Sequence, residues 1–526
     1  MYSKSMKTEK GITLLVLVIT IIILVILATI SINAVIGDNG LIQSAKNSKN
    51  SAENAVEQET GKMNSLLTEY ANIMAEDTEI IKPGDDSETP NPGGDTPGSD
   101  GDEDSEIDET IVEPPQLVTG MIPVKWNEST KTWIKTEETD AGWYNYGEKK
   151  WANIVLGDAT FSKVDGKEVL DETQTYSMLV WIPRYAYKIT SYYHLGGDKA
   201  GNIEIVFLDR NNKSKTNEDF SNRTTYPSVT NSGKSTGRMN DYVVHPAFTY
   251  GDEELAGFWA GKFETSQKTD GTIQITGGVS SLRGLTIGEY FAMCLDMNSN
   301  NNTYGISSSD SVVDPHMMKN TEWGAVVYLS QSIYGKNEII EMNDNNSFVT
   351  GGGDYKSNVE QSSTGNVWGV YDLVGGSFEY VAAYINDNSS INLTKYGSEL
   401  RNADEKYVNI YKKGSSYNIF KPTQAKHDNY LATEPQVGKK ASESTGYYGD
   451  AIWETSSDYN SENLSWNKNA SIFSDGLNPF LIRGGGITGQ AEMAGTFYFN
   501  EDGGYDNDNN DNDNNEISFR VVIPVI

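Results

Sequence analysis

The sequence predicts an α+β protein that carries a membrane-spanning helix near its N-terminus. Three observations lead to this class. Residues 12–36 are almost unbroken apolar sequence, long enough for a transmembrane helix. Two later segments, 285–297 and 317–331, repeat apolar residues at helical spacing. Short runs of aromatic, β-branched and small residues surround those helices and are bounded by glycine, which is typical of strands. Strands, two helices and long connections together favour an α+β domain.

Composition excludes one class of partner. The chain has 526 residues and a formal net charge of -33. Phosphate backbones need clustered Lys and Arg, so nucleic acid is not an expected partner. Cys294 is the only cysteine, so no internal disulfide can form. Its apolar helical surroundings predict a buried core thiol rather than a nucleophile.

The N-terminal apolar run predicts a single-pass membrane protein. A helix from Gly11 to Ile36 would be about 39 Å long, enough to cross a bilayer with some tilt. Lys4, Lys7 and Lys10 precede it. By the positive-inside rule, the N-terminus is cytoplasmic and the large remainder is extracellular, at the cell membrane.

The start of this run has a more particular pattern. Residues 10–15 read Lys-Gly-Ile-Thr-Leu-Leu, which resembles the start of type IV prepilins and pseudopilins. The resemblance implies a leader at 1–11, cleavage by a prepilin peptidase between Gly11 and Ile12, and packing of helix 12–36 against other pilins. The family usually carries Glu at the fifth mature position, where this chain has Val16. A plain single-span anchor is therefore the alternative.

The next two segments predict a spacer. Residues 37–81 are polar with a sparse apolar stripe at helical spacing, which indicates a helical stalk. Residues 82–115 are rich in Pro, Gly, Ser and acids and lack aromatic residues. Such a segment cannot bury enough apolar surface to fold, so it is expected to be an acidic disordered linker.

Globular composition begins at residue 116. Runs at 121–126 and 132–135 predict a hairpin across 127–131. This hairpin would belong to an N-terminal extension, residues 116–175, of a larger domain at 176–526.

Four motifs in residues 176–526 resemble the formylglycine-generating (sulfatase-modifying) family. They are Gly369-Val-Tyr-Asp-Leu-Val-Gly-Gly-Ser-Phe-Glu-Tyr-Val381, Asn320-Thr-Glu-Trp-Gly-Ala325, Leu481-Ile-Arg-Gly-Gly-Gly486 and Ser518-Phe-Arg-Val-Val522. Their order and spacing also agree with that family. The resemblance implies a C-type-lectin-like α+β fold. It also implies framework roles for Trp323, Trp368, Arg483 and Arg520.

The same resemblance argues against the family's chemistry. Its oxidases hold copper with two cysteines, whose positions fall here on Gly489 and Ala494. A related branch uses a histidine iron site. The histidines of this chain, which follow no ligand spacing, are His194, His245, His316 and His427. We therefore expect no enzymatic activity and no metal cofactor. Calcium bound by loop carboxylates is the open alternative.

Other proteins with this fold bind ligands. The variable proteins of diversity-generating retroelements randomise a C-terminal loop toward Asn, Asp, Ser, Gly and Tyr. Residues 500–515 are drawn almost wholly from that set, which also suits a binding surface. The resemblance places ligand contacts in 486–515, most of all at Glu492, Met493, Tyr498, Asn500, Asp502, Tyr505, Asp506 and Asn507. A low-complexity acidic loop is the alternative.

These observations favour a surface-displayed binding protein, adhesin-like or receptor-like, with a protein or glycan ligand. A structural minor pilin or pseudopilin is the second hypothesis. An enzyme of unrecognised chemistry is the third.

Overall fold

The computed structural model describes part of the chain, all of it within the compact unit Asp102–Ile526. The described residues are 110–191, 202–221, 241–299, 302–306, 312–345, 347–386, 390–412, 449–452, 471, 474, 476–486, 494–505 and 516–526. The predicted leader, membrane helix and stalk lie outside them, as does the predicted linker up to residue 109. Residues 110–115, the end of that linker, pack on the domain: Ile111 is buried and Glu113 pairs with Arg210.

Twenty-one short strands make up most of the regular structure in the described residues. The first eleven are β1 (Met121–Asn127), β2 (Thr132–Lys135), β3 (Asn153–Leu156), β4 (Phe161–Val164), β5 (Lys167–Leu170), β6 (Met178–Pro183), β7 (Tyr185–Ser191), β8 (Asn202–Phe207), β9 (Val243–Val244), β10 (Thr249–Tyr250) and β11 (Glu253–Glu254). The others are β12 (Gly257–Gly261), β13 (Ser266–Gln267), β14 (Ile273–Gln274), β15 (His316–Met317), β16 (Phe378–Asn386), β17 (Asn409–Lys412), β18 (Phe480–Gly484), β19 (Gly495–Asp502), β20 (Ile517–Phe519) and β21 (Val521–Pro524).

Nine strands form the main sheet, in the order β15-β21-β12-β6-β3-β1-β2-β5-β4. Every pairing in it is antiparallel. The predicted hairpin is confirmed, since β1 and β2 pair from Val124 opposite Lys135 to Asn127 opposite Thr132. The predicted extension is part of this sheet, because β3 pairs with both β1 and β6.

Central strands of this sheet are buried on both faces. All residues of β6, β12 and β21 are buried, which explains why their sequences are continuous apolar or small runs rather than alternating ones. The rings of Trp181 and Trp259 lie 5.1 Å apart on neighbouring strands. Large aromatic pairs of this kind dominate the burial energy of a core.

A second sheet carries the C-terminal motifs. Its order is β17-β16-β18-β19, and β20 also pairs with β16. The pairs β16–β18 and β18–β19 are antiparallel, while β17 and β20 run parallel to β16. Smaller sheets are β8-β7-β9, β10-β11 and β13-β14.

Four short α-helices complete the described residues: α1 (Ile287–Leu295), α2 (Asn320–Ser330), α3 (Ile391–Lys395) and α4 (Ser398–Asn402). The two helices predicted at 285–297 and 317–331 are confirmed as α1 and α2. Thr286 begins α1 through a capping box with Glu289, the sequence signature of a helix start. Every residue of α2 is buried.

The α+β, C-type-lectin-like fold class was wrong. The described residues are mostly antiparallel sheet, with 35% in strands and 16% in helices. The two predicted helices exist, but the glycine-bounded runs before and after them pair over long distances into antiparallel sheets that local patterns do not reveal. Helices long and apolar enough to cross a membrane are absent from the described residues, and the predicted span at 12–36 lies outside them.

Candidate functional site

Arg520 joins three segments in the interior. Its guanidinium, fully buried, pairs with Glu379 of β16, with Nε donating to Oε2 at 3.0 Å. It also donates to the carbonyls of Gly261 at 2.9 Å and Tyr371 at 3.0 Å. A buried charge needs such partners, so Arg520 holds β12, β16 and the segment before β21 together.

The β18–β19 ribbon rests on α2 through two more residues of the predicted framework. Trp323 Nε1 donates to the carbonyl of Thr496 on β19 at 2.9 Å. The guanidinium of Arg483 lies 5.7 Å from the Trp323 ring and donates to the carbonyl of Ala451 at 2.9 Å. Trp368 is 4% exposed and packs against the N-terminal hairpin. These side chains fix the position of the strand that carries the predicted contact residues.

Three predicted contact residues lie on one face of β19, because side chains alternate along a strand. They are Tyr498, Asn500 and Asp502. Tyr498 is 1% exposed, and its ring packs 6.2 Å from the ring of Phe378. Asn500 is half-buried, and its Oδ1 has no hydrogen-bond partner among the described residues. This face therefore passes from packed interior toward the surface as the strand ends.

Asp502 turns the chain at the end of β19. Its carboxylate accepts hydrogen bonds from the Tyr380 hydroxyl and from the Gly504 amide, the latter at 2.7 Å. Burial raises the pKa of Asp502 above its ordinary value. Gly504 has φ +89, and a side chain there would collide with the ring of Phe480, so glycine is required at this turn.

The turn places Tyr505 beside the N-terminus of α1. The Ile287 amide donates to the Gly504 carbonyl at 3.1 Å, and Tyr505 forms a β-bridge with Thr286. The Tyr505 ring packs 4.6 Å from the ring of Tyr396, at an interplanar angle of 35°. Both tyrosines are half-buried.

Two strongly exposed aliphatic side chains lie beside this pair. Ile391 is 77% exposed and Leu477 is 75% exposed. Asn392 connects them, since its amide donates to the Leu477 carbonyl at 2.6 Å. A side chain added at Gly503 would lie 3.3 Å from the Asn392 amide and 2.8 Å from the Tyr505 ring. Asn392 therefore lies between the segments that carry Ile391 and Leu477 and the turn that carries Tyr505.

A lysine completes the surface. Lys395 Nζ lies 4.5 Å from the centre of the Tyr396 ring and donates to the Tyr396 hydroxyl at 2.5 Å. We call Ile391, Lys395, Tyr396, Leu477 and Tyr505 the tyrosine patch. The patch combines exposed apolar area, two aromatic faces and one cation, which suits a protein or glycan partner.

Sequence reasoning identified one residue of the tyrosine patch, Tyr505. It missed Tyr396, Ile391, Leu477 and Lys395. A short amphipathic helix after Ser390 could have suggested the first two, but no local pattern shows which apolar residue of a five-residue helix faces solvent. Outside the described residues lie the predicted contacts Glu492, Met493, Asp506 and Asn507 and the processing residues Gly11 and Ile12.

The cysteine and the two histidines that the structure describes are buried. Cys294 is fully buried, and burial raises the pKa of its thiol well above the ordinary value. His245 Nε2 lies 2.9 Å from the Gly449 carbonyl, and His316 Nε2 lies 3.0 Å from Glu322. Across the described residues, no three His, Cys, Asp or Glu side chains are grouped to hold a metal ion.

Two further acidic groups are engaged in the interior. Glu264 is 1% exposed and accepts from the Ser377 amide at 2.8 Å. Burial and the charge of Asp372 raise the pKa of Glu264 well above its ordinary value. Asp372 accepts from the Asn343 amide and the Gly351 N–H, both at 2.8 Å. These contacts tie loops together and leave the carboxyls far from solvent.

No protein-family model matches the sequence, and no curated protein matches it either. The geometry of the chain itself therefore carries the functional argument.

Proposed function

We propose that this chain is a non-enzymatic binding protein whose contact surface is the tyrosine patch. One observation carries the proposal. Ile391 and Leu477 are each about three-quarters exposed, and Asn392 joins their segments beside the turn that carries Tyr505. Burial of such side chains in a complex removes apolar area from water at a gain of about 25 cal/mol per Å². The ligand is a surface protein or a glycan.

The composition of the adjacent loop supports the same role. Tyr505 directly precedes residues 506–515, which consist of Asp and Asn alone. Tyrosine supplies rigid contact area, and Asn supplies adaptable hydrogen bonds. A diversified loop next to a fixed aromatic patch would let one scaffold accept different ligands. This composition is the basis for proposing a retroelement-diversified protein.

We further propose display at the cell surface. The lysine-flanked apolar run at 12–36 would anchor the chain, with the prepilin-like motif at Gly11 as its processing site. The acidic segment 82–109 would hold the domain away from the membrane. Release of residues 1–11 by a prepilin peptidase, measured by mass spectrometry of the purified chain, tests the processing.

A non-enzymatic role is supported by the positions that would need to react. Gly489 and Ala494 stand where the similar oxidases carry copper-binding cysteines, and neither residue can bind copper. Cys294 is fully buried in α1, away from solvent and substrate.

Binding of the full chain to glycan arrays and to arrayed cell-surface proteins tests the tyrosine patch. We expect a ligand whose binding falls at least about tenfold in Tyr505→Ala and in Ile391→Ser, as for anchor residues at an interface centre. Ile333→Ser is the matched control, because Ile333 is 64% exposed but lies outside the patch. Ligands that bind all variants equally would contradict the proposal.

Diversification has its own test. Codons 476–526 would be sequenced deeply across a natural population. Substitutions confined to the loop 486–518, with an unchanged framework, would support a diversified receptor or adhesin. A loop as constant as its framework would overturn that part of the proposal.

A further inference from the structure

A cavity of about 470 Å³ lies beside the C-terminus of α1. It is formed between α1, the β13–β14 hairpin and the segment around residue 304. Its main lining residues are Thr272, Ile273, Met293, Asp296, Met297 and Tyr304. This volume is in the range of small-molecule sites, which are mostly apolar with a few polar groups.

The floor of the cavity is apolar and adaptable. Ile273, Met297 and Tyr304 are at most 4% exposed, and Met293 is half-buried. The Tyr304 hydroxyl donates to the Ile273 carbonyl at 2.7 Å, which leaves the flat ring as its contribution to the wall. Methionine side chains adjust their shape to ligands of different outline.

The carboxylate of Asp296, at this cavity, lies in an electrostatically unfavourable position. Asp296 is the exposed C-cap of α1, where the helix passes into a 3-10 turn at Asp296–Asn298, and the last turn of α1 has no basic residue. A carboxylate there costs some stability, because cations are preferred at helix C-termini. Within the described part of the chain, Asp296 has no ion-pair partner. A bound cation would remove both disadvantages.

The neighbouring Lys268 does not form an ion pair with Asp296. Lys268 Nζ forms an ion pair with Asp158 at 2.9 Å, and both side chains are at least nine-tenths buried. It also lies 4.8 Å from the centre of the Tyr304 ring. Asp270, which accepts a hydrogen bond from the lining residue Thr272, adds a second exposed carboxylate next to the lining. The mouth is therefore negative, as is the whole chain at -33.

We propose that this cavity binds a small organic cation, an ammonium group on an apolar body. The apolar body would occupy the space over Ile273, Met293 and Met297. The ammonium would lie at Asp296, where it meets both the carboxylate and the negative end of α1. This site is separate from the tyrosine patch and does not depend on the binding function proposed for that patch.

Three probes of the same size test the charge requirement: benzylammonium, benzyl alcohol and benzoate. In calorimetric titrations of the full chain, we expect benzylammonium to bind with a dissociation constant of about 1 mM or tighter, as suits a fragment of this size. Benzyl alcohol should bind about tenfold more weakly, and benzoate should not bind. Equal binding of the alcohol, or no binding of benzylammonium, would overturn the proposal.

Substitutions then locate the site. Asp296→Asn should weaken benzylammonium about tenfold and leave benzyl alcohol unchanged. Asp165→Asn is the matched control, because Asp165 is exposed in the β4–β5 turn and Asn tolerates its φ of +49. Methyl NMR should show benzylammonium shifting the signals of Met293 and Met297. Equal weakening by both substitutions, or shifts confined to other methionines, would contradict the site.

Discussion

The interior around Arg520 and the tyrosine patch differ in where they place charged and apolar side chains. Arg520 is fully buried, and its guanidinium is matched to Glu379 and to two backbone carbonyls. Ile391 and Leu477 are apolar, yet each is about three-quarters exposed. The first region places charge where water is absent, and the second places apolar side chains where water is present.

The difference separates what folds the chain from what the chain binds. A buried charge is tolerated only where its partners are complete, so the charged residues of the interior and their partners determine the stability of the fold. An exposed aliphatic group gains nothing on folding. A contiguous set of such groups marks an interaction surface. Substitutions should therefore change stability in the interior and ligand binding at the patch.

The largest effect is expected at Arg520. Arg520→Leu would leave Glu379, which is 1% exposed, as a buried carboxylate without its partner. We expect a loss of about 3–5 kcal/mol in the free energy of unfolding, measured from urea denaturation midpoints. Arg401→Leu is the control, since Arg401 is exposed on α4. Equal losses for both variants would contradict the distinction.

Acid should destabilise the fold through His245. Burial lowers the pKa of His245 to about 3, because the cost of burying a charged ring outweighs the opposing effect of its hydrogen bond to the Gly449 carbonyl. The unfolded chain binds this proton below about pH 6.5. Stability is therefore present above pH 6.5 and falls as pH decreases, by about 1.4 kcal/mol per pH unit.

His245→Asn provides the measurement. Asparagine keeps a cap acceptor for the Ala247 amide but does not titrate. Unfolding free energies between pH 7 and pH 5 should depend less on pH in the variant than in the unsubstituted chain. Identical slopes would show that His245 is already protonated in the folded state.

A smaller acid effect belongs to Glu322 at lower pH. Burial alone would raise the pKa of this carboxyl, but the charges of Lys319 and His316 outweigh it and lower the pKa to about 2. Its contribution is present above about pH 4.5 and is lost as pH falls toward 2, up to about 3 kcal/mol. Glu322→Gln should remove this part of the acid transition, measured as the free energy of unfolding between about pH 4.5 and pH 2.

Local patterns predicted the local elements. Apolar spacing located α1 and α2, and a turn between two apolar runs located the β1–β2 hairpin. Sequence could not predict that β21 inserts between β12 and β15, because strand partners distant in sequence leave no local signal. That missing information is why the fold class was wrong.

In the candidate site, too, some features follow from the local sequence and others only from the folded chain. Tyr498 and Tyr505 have the same side chain and lie in the same C-terminal stretch, and both were predicted contacts. Tyr498 is 1% exposed on β19, whereas Tyr505 is only half-buried after the turn at Gly504. Tyr396 comes from α3, more than a hundred residues earlier, and only the folded chain brings the two rings together.

The smallest effect on stability is expected at Ile391. Ile391→Ser should change the free energy of unfolding by no more than about 0.5 kcal/mol, because the side chain is 77% exposed and has little contact to lose. Ile482→Ser, on β18 and 5% exposed, is the matched comparison, with an expected loss of about 3 kcal/mol. Denaturation of both variants would measure the contrast directly. Comparable losses would mean that the side chains of the tyrosine patch stabilise the fold. Their exposure would then no longer be evidence for a ligand.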